Sequence, residues 1–447
     1  EIEQLTDNEN ILDIRLRIAK AKAIERSKQL RREWLEKPKK LLPYALKKAK
    51  NFYTRLKKRI DELRRQYGLI SEKQQLSAEV ADFLAETEQA VEKLPFVYQR
   101  LFKSVPLSDA NLFVGRKSEL EVLQHAAENF KKGRFAAVSI VGEKGSGTTT
   151  LLNFFEKEYA EKFEYYRFNN IRGLWKREAL LMYFSEKFNH QFNSQEQFVE
   201  FLNQGDKKVI VIENIQKQFL KSVNGFEALR MLSEIISLTS DRTMWVVTCT
   251  KYGWNYLDKT IKLADHFSYH IALGEFKDEV ITNIILKRHR ISGFDLYFLP
   301  TKEHLNNKNF KKLNEEERQE QLQAEYFKDL NKIAKSNVSL ALMYWVRSTK
   351  EVKGDIIYIS SLKEMDFSFI QNLSAEKLYN LSYLILNDGL EEAAFALCTQ
   401  KDISQTRAIL YPLFEDGVLI KNDSTFLINP LIYRQLVDSF KSKNIIH

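Results

Sequence analysis

A chain of 447 residues with 44% hydrophobic and 29% charged side chains is too long for one core and too apolar to be disordered, so two or three helix-rich domains are expected. No apolar run approaches the roughly 18 to 20 residues of a membrane helix, which excludes a span within the chain. The net charge of +9 is local: residues 15–66 hold 20 Lys/Arg against 5 Asp/Glu, residues 1–14 hold 5 acids and no base, and the rest is nearly balanced.

The first 70 residues read as a basic helical arm. Leu42, Leu46, Ala49, Tyr53, Leu56, Ile60, Leu63 and Tyr67 recur at alternating steps of four and three, the seam of a coiled coil or helical hairpin. Lys and Arg crowd the other faces. Three readings of this arm stay open: a solvated coiled-coil face, a segment that holds an anionic membrane surface through residues 15–66, and a nucleic-acid grip in which Trp34, Tyr44 and Phe52 stack on bases. The chain begins at Glu1 with no charged n-region before an apolar stretch, so no signal peptide is visible and a truncated start is open. An acidic helix over 77–94, within an acidic-helix-and-linker segment 71–105, follows and ends at Pro95.

From 106 to about 275 short apolar runs alternate with helical stretches, the pattern of a parallel α/β sheet. Five strands are expected at 135–142, 165–169, 208–214, 243–250 and 267–273. The first runs into VGEKGSGTTTLL. Gly142, Gly145 and Gly147 allow backbone N–H groups to turn inward around a phosphate at a helix N-terminus, with Glu143, Lys144, Ser146, Thr148 and Thr150 beside them. Thr149 stands where a hydroxyl would ligate Mg2+, and Glu213 at the end of KVIVIEN is its natural partner. Thr248 or Thr250, the polar residues that close TMWVVTCT, is the candidate polar contact at that strand end.

Residues 276–365 read as a helical lid and 366–447 as a winged helix, with a helical run closed at Asp416-Gly417 and a β wing around Asn422-Asp423. Residues 374–447 carry 7 Lys/Arg against 9 Asp/Glu, a poor surface for DNA phosphates, so protein contact or autoinhibitory docking is favoured there over nucleic acid. Two cysteines, Cys249 and Cys398, point to a reducing compartment and buried packing roles. Seven scattered His propose no metal site of their own.

The segment NLFVGRKSEL (111–120) ahead of the phosphate loop, together with KSNVSLALMYW (335–345), resembles the AAA+/STAND class of P-loop ATPases, in the branch with a replication-initiator-like core, helical lid and C-terminal winged helix. The resemblance spans roughly 106–447. It implies ATP or ADP with Mg2+ as ligands, and it sets Phe113, Val114, Gly115 and Arg116 beside the base.

Four charge-handling positions depart from that class. The loop lysine position holds Thr148, the second strand-end acid is Asn214, the lid arginine position holds Ser339, and Ala264, Asp265 and His266 stand where an arginine finger is common. A lost charge-assisted contact is worth about 1.5 to 3 kcal/mol, whereas a lost base and a lost finger each cost orders of magnitude in rate.

The expectation is therefore a cytoplasmic nucleotide-binding switch or assembly module with weak or absent hydrolysis, sited in the cytoplasm at large or at the inner face of a membrane. It would act on a protein partner or by self-association through the arm or winged helix. A DNA-associated initiator-like or transposition-helper ATPase and a membrane-anchored structural pseudo-ATPase are the alternatives. Asn214 and Thr248 are the weak catalytic candidates.

Overall fold

A computed structural model describes residues 72–447, apart from 170–172 and a few single positions; the basic arm lies outside the described residues. The chain enters with α1 (Glu72–Lys93), closed at Pro95, and α2 (Phe96–Leu101). The core then alternates α3 (Lys117–Lys131), β1 (Ala137–Gly142), α4 (Thr148–Tyr159), β2 (Glu164–Phe168), α5 (Arg177–Lys187), α6 (Gln195–Asn203), β3 (Lys208–Ile212), α7 (Glu227–Leu238), β4 (Thr243–Thr250), α8 (Lys251–Ile261) and β5 (Tyr269–Leu273). The five strands form one parallel sheet in the order β2-β3-β4-β1-β5. This is the expected α/β P-loop core with its five parallel strands.

Burial on both faces explains why these strands read as apolar runs rather than alternations. Val138, Ile140, Val209, Val211, Met244 and Val246 pack on one side with Leu123, Phe130, Leu151 and Phe155 of α3 and α4. Ile210, Ile212, Trp245 and Val247 point the other way, onto α7 and α8. That second core runs on without a break into the C-terminal half of the chain. The sheet order puts the ends of β1, β3 and β4 side by side, at the edge where an α/β sheet takes its ligand.

After the sheet come α9 (Asp278–Ser292), β6 (Asp295–Phe298), α10 (Lys302–Asn306), α11 (Lys308–Lys312), α12 (Glu315–Ala334), α13 (Val338–Ser348), β7 (Thr349–Lys353) and β8 (Ile356–Ile359). A capping box between Asn314 and Glu317 starts α12 and the Asn337 side chain caps α13. The lid is not wholly helical, which corrects the sequence reading. β6, β8 and β7 make a small three-stranded sheet, whose hairpin turns at Gly354-Asp355 with Gly354 at φ 56°. Ile357 and Ile359 of that hairpin are buried in the lid.

The C-terminal stretch consists of α14 (Ala375–Leu386), β9 (Leu390–Glu391), α15 (Glu392–Thr399), α16 (Ile403–Glu415), β10 (Leu419–Asn422), β11 (Thr425–Ile428) and α17 (Pro430–Ser442). β10 and β11 form an antiparallel hairpin turned at Asp423, and β9 adds to the far edge of β11. The helical run closes at Asp416-Gly417, and the hairpin falls where the wing was expected. Among the described residues no helix is long and apolar enough to cross a membrane.

Candidate nucleotide-binding site

β1 ends at Gly142 and the chain turns into α4 through Gly145 at φ 80° and Gly147 at φ 96°. Both glycines sit in the left-handed region that L side chains avoid. A Cβ at Gly145 would run into the Asn337 side chain at the N-cap of α13, so this glycine also lets the lid helix approach the loop. Residues 142–150 form one wall of a cavity of about 310 Å3. Phe113, Val114 and Arg116 come to the same cavity, as do Asn214 and Thr248 from the strand ends and Val338, Ser339 and Leu342 from α13. A nucleotide cavity commonly occupies a few hundred Å3.

Gly115 and Glu213, both expected at the site, stand behind it, and Arg116 reaches it already engaged. Gly115, at φ 85°, has no room for a Cβ against Val280 and Phe276, so its part is to let that segment pack on α9. Arg116 is held in place by Glu119 at 2.7 Å, by the Gly274 carbonyl at 2.9 Å and by the Phe276 ring 3.9 Å beneath it. Glu213, 4% exposed, lies behind Thr149 and is not on the cavity wall.

The Mg2+ pair can be tested against the donor chemistry. Thr149 Oγ1 donates to Glu213 Oε2 at 3.2 Å, so the two residues meet as expected. The other carboxylate oxygen, Oε1, accepts from Arg167 Nε and Nη2, both at 2.8 Å. Arg167 is a β2 residue that the sequence reading missed. It also donates to Glu156 at 2.6 Å and Asn153 at 2.9 Å. Burial works against the Arg167 charge, but the hydrogen bonds and charges of Glu156 and Glu213 outweigh it and raise its pKa. A hard cation draws its affinity from oxygen charge. Here the one carboxylate of the pair is already neutralised, so the residues do not fit a protein-held Mg2+, and Thr149 is left as a hydroxyl facing the cavity.

The remaining candidates are engaged by the backbone. Thr248 Oγ1 accepts from Asn214 N at 2.8 Å, and Thr150 Oγ1 accepts from Leu107 N at 3.2 Å. Asn214 adopts φ 60°, ψ 52° and opens a short 3-10 turn over Ile215–Lys217. Asn tolerates that left-handed conformation better than most residues. His266 contacts Ser237 at 3.0 Å and does not reach the cavity wall.

Lys144 is half-buried and engaged. It donates to Asp388 Oδ1 at 2.8 Å, from the turn after α14, and Lys217 approaches the other oxygen of Asp388 at 3.5 Å. Glu143 accepts from Tyr252 Oη at 2.8 Å and is ion-paired with Arg434 of α17, which also holds Glu275 at 2.5 Å. Both side chains at the tip of the loop are thus clasped by the C-terminal stretch. Contacts between residues 244 and 291 positions apart leave no trace in a linear motif.

No protein-family model matches the chain, and no curated protein matches it. Among solved structures it is similar to the Aeropyrum pernix ORC2 protein in its ADPNP-ADP complexes, at 14% identity over 77% of this chain and 97% of that one, with a TM-score of 0.36. It is similar to Cdc6p from Pyrobaculum aerophilum at 16% identity over 77% and 98%, with a TM-score of 0.39. It is also similar to the Thermotoga maritima RuvB Holliday junction branch migration motor at 12% identity over 74% and 98%, with a TM-score of 0.30. Likeness at this level carries no argument about the site, and the P-loop core rests on the strand order and the turn of residues 142–149.

Proposed function

We propose that the chain is a nucleotide-binding switch or assembly module of the AAA+/STAND type that binds ATP or ADP and hydrolyses it slowly or not at all. The observation that carries this reading is the loop itself: three glycines between a buried strand and a helix line a cavity, while Glu143 and Lys144 of the same loop are clasped by α17 and the turn after α14. A phosphate chain in the loop would compete with Asp388 for Lys144, so occupancy would bias the C-terminal stretch between two arrangements.

Slow chemistry follows from the strand ends. Asn214 has no proton affinity to act as a base, Thr248 is committed to the Asn214 backbone, and Glu213 is paired with Arg167. Any Mg2+ would arrive with the nucleotide and be held mainly by its phosphates.

In this reading the chain comprises a basic arm (1–70), an acidic helix and linker (71–105), the P-loop domain (106–275), a lid (276–365) and a winged helix (366–447). It is cytoplasmic and works through self-association or a protein partner, with the arm available to an anionic membrane surface. The acid excess of residues 374–447 weighs against DNA as the partner.

Calorimetric titration and thermal shift with ATP and ADP test the reading, alongside phosphate release over hours. Binding of either nucleotide with little release is expected. No binding and no shift at millimolar concentration would sink the nucleotide site, and brisk release would sink the slow-switch part.

A further inference from the structure

Arg288 of α9 lines the same cavity and is only 3% exposed. Its Nη1 donates to the Leu101 carbonyl at 2.9 Å, while the buried Nε has no hydrogen-bond partner. Burial lowers its pKa, and among the described residues no acid is ion-paired with it. The other cations on the cavity wall are occupied: Arg116 by Glu119 and the Phe276 ring, Lys144 by Asp388. Thr148 adds none. A buried guanidinium without a counter-charge is costly, and an apolar residue of similar size in its place is commonly neutral or stabilising. A chain gains from keeping such a charge when a ligand brings the opposite one.

We infer that Arg288 makes this cavity selective for a polyanionic ligand, the phosphate chain of a nucleotide, and supplies the positive charge that the loop lacks at Thr148. The inference rests on the nucleotide reading for the identity of the ligand. In a poorly screened interior the attraction falls only with the inverse of distance, so Arg288 acts on the phosphates across the cavity. Its place on α9, the first helix after the sheet, also ties the charge of the ligand to the position of the lid. Arg288 is therefore a specificity-determining residue.

The test uses the full chain, with Arg288→Lys, Arg288→Gln and Arg288→Met, and measures ATP, ADP and adenosine binding together with the melting temperature without ligand. The Gln and Met variants should weaken ATP about tenfold or more, the loss expected for a charge-assisted interaction, and leave adenosine within about twofold. The Lys variant should retain most of the ATP affinity. The Met variant should melt no lower than the parent when empty, so that its loss of ATP affinity reports the missing charge and not a damaged fold. Equal losses for ATP and adenosine, or unchanged ATP binding in all three variants, would overturn the inference and leave the nucleotide reading standing. If the parent chain binds neither ligand, the nucleotide reading fails, and inorganic triphosphate then decides the inference alone. A triphosphate-induced thermal shift that is lost in the Met variant sustains it, and no shift in the parent ends it.

Discussion

At the scale of single residues, Asn214 and Thr148 sit in different surroundings. Asn214 suits the left-handed backbone that opens the turn over Ile215–Lys217, and its N–H is fixed by Thr248 at 2.8 Å. Thr148 faces the cavity with only a 3.5 Å approach to Ser146 Oγ, so nothing in its surroundings demands threonine. Thr148→Lys should therefore strengthen ATP binding about tenfold to a hundredfold, as a new charge-assisted contact would, without brisk turnover, because Asn214 remains a poor base. Calorimetry and phosphate release on the same variant check both halves, and fast turnover would show that Asn214 had been misjudged. Arg167 is the second residue to test. Arg167→Gln leaves the Glu213 carboxylate buried without its cation, and a loss of about 3 to 5 kcal/mol is typical of such a broken buried pair. That variant should be destabilised in denaturant titrations and partly restored by nucleotide with Mg2+, more than by nucleotide with a chelator. Equal restoration by both would show that Glu213 has no bearing on the metal.

At the scale of elements, ion pairs fasten α17 and the turn after α14 to the phosphate loop and its surroundings. Arg434 spans Glu143 and Glu275, Lys144 and Lys217 share Asp388, and Lys335 meets Asp438 of α17 at 2.7 Å. Arg434 is largely buried, and its pKa is raised because the attraction of Glu143 and Glu275 exceeds the cost of burial. Close packing adds to the charge: a Cβ on Gly253, in the first turn of α8, would lie 2.8 Å from the Leu386 carbonyl at the end of α14. Arg434→Ala should loosen α17 from the loop at a cost of about 1.5 to 3 kcal/mol, the range for hydrogen bonds to charged groups. Limited proteolysis near residues 416–424 should then be faster than in the parent chain, and an unchanged digestion pattern would show that apolar packing alone holds the C-terminal stretch.

At the scale of the whole molecule, the clasp and the cavity share Lys144 and Asp388, so a ligand that takes up Lys144 would be linked to the clasp. If phosphate draws Lys144 from Asp388, nucleotide must lower hydrogen-exchange protection in α14 or α17, and Asp388→Ala must raise ATP affinity by the same coupling. An ATP-saturated chain with unaltered exchange in both helices would argue against a switch. The strands, the loop and the capped helices were legible in the sequence because parallel strands buried on both faces are apolar throughout and glycines mark a turn no other residue makes easily. The small lid sheet was missed although Gly354-Asp355 is a hairpin signal, because its strands of 5 and 4 residues are too short to show a clear alternation. Local chemistry in the sequence thus determined the core, the loop and the uncharged side chains at Thr148 and Asn214. Only the tertiary structure decided that Arg167 neutralises Glu213, that Arg288 lies buried on the cavity wall with no ion-pair partner among the described residues, and that Asp388 and Arg434 clasp the loop. Those facts depend on which distant side chains share a buried space, and burial is what turns an ordinary charge into a strong constraint.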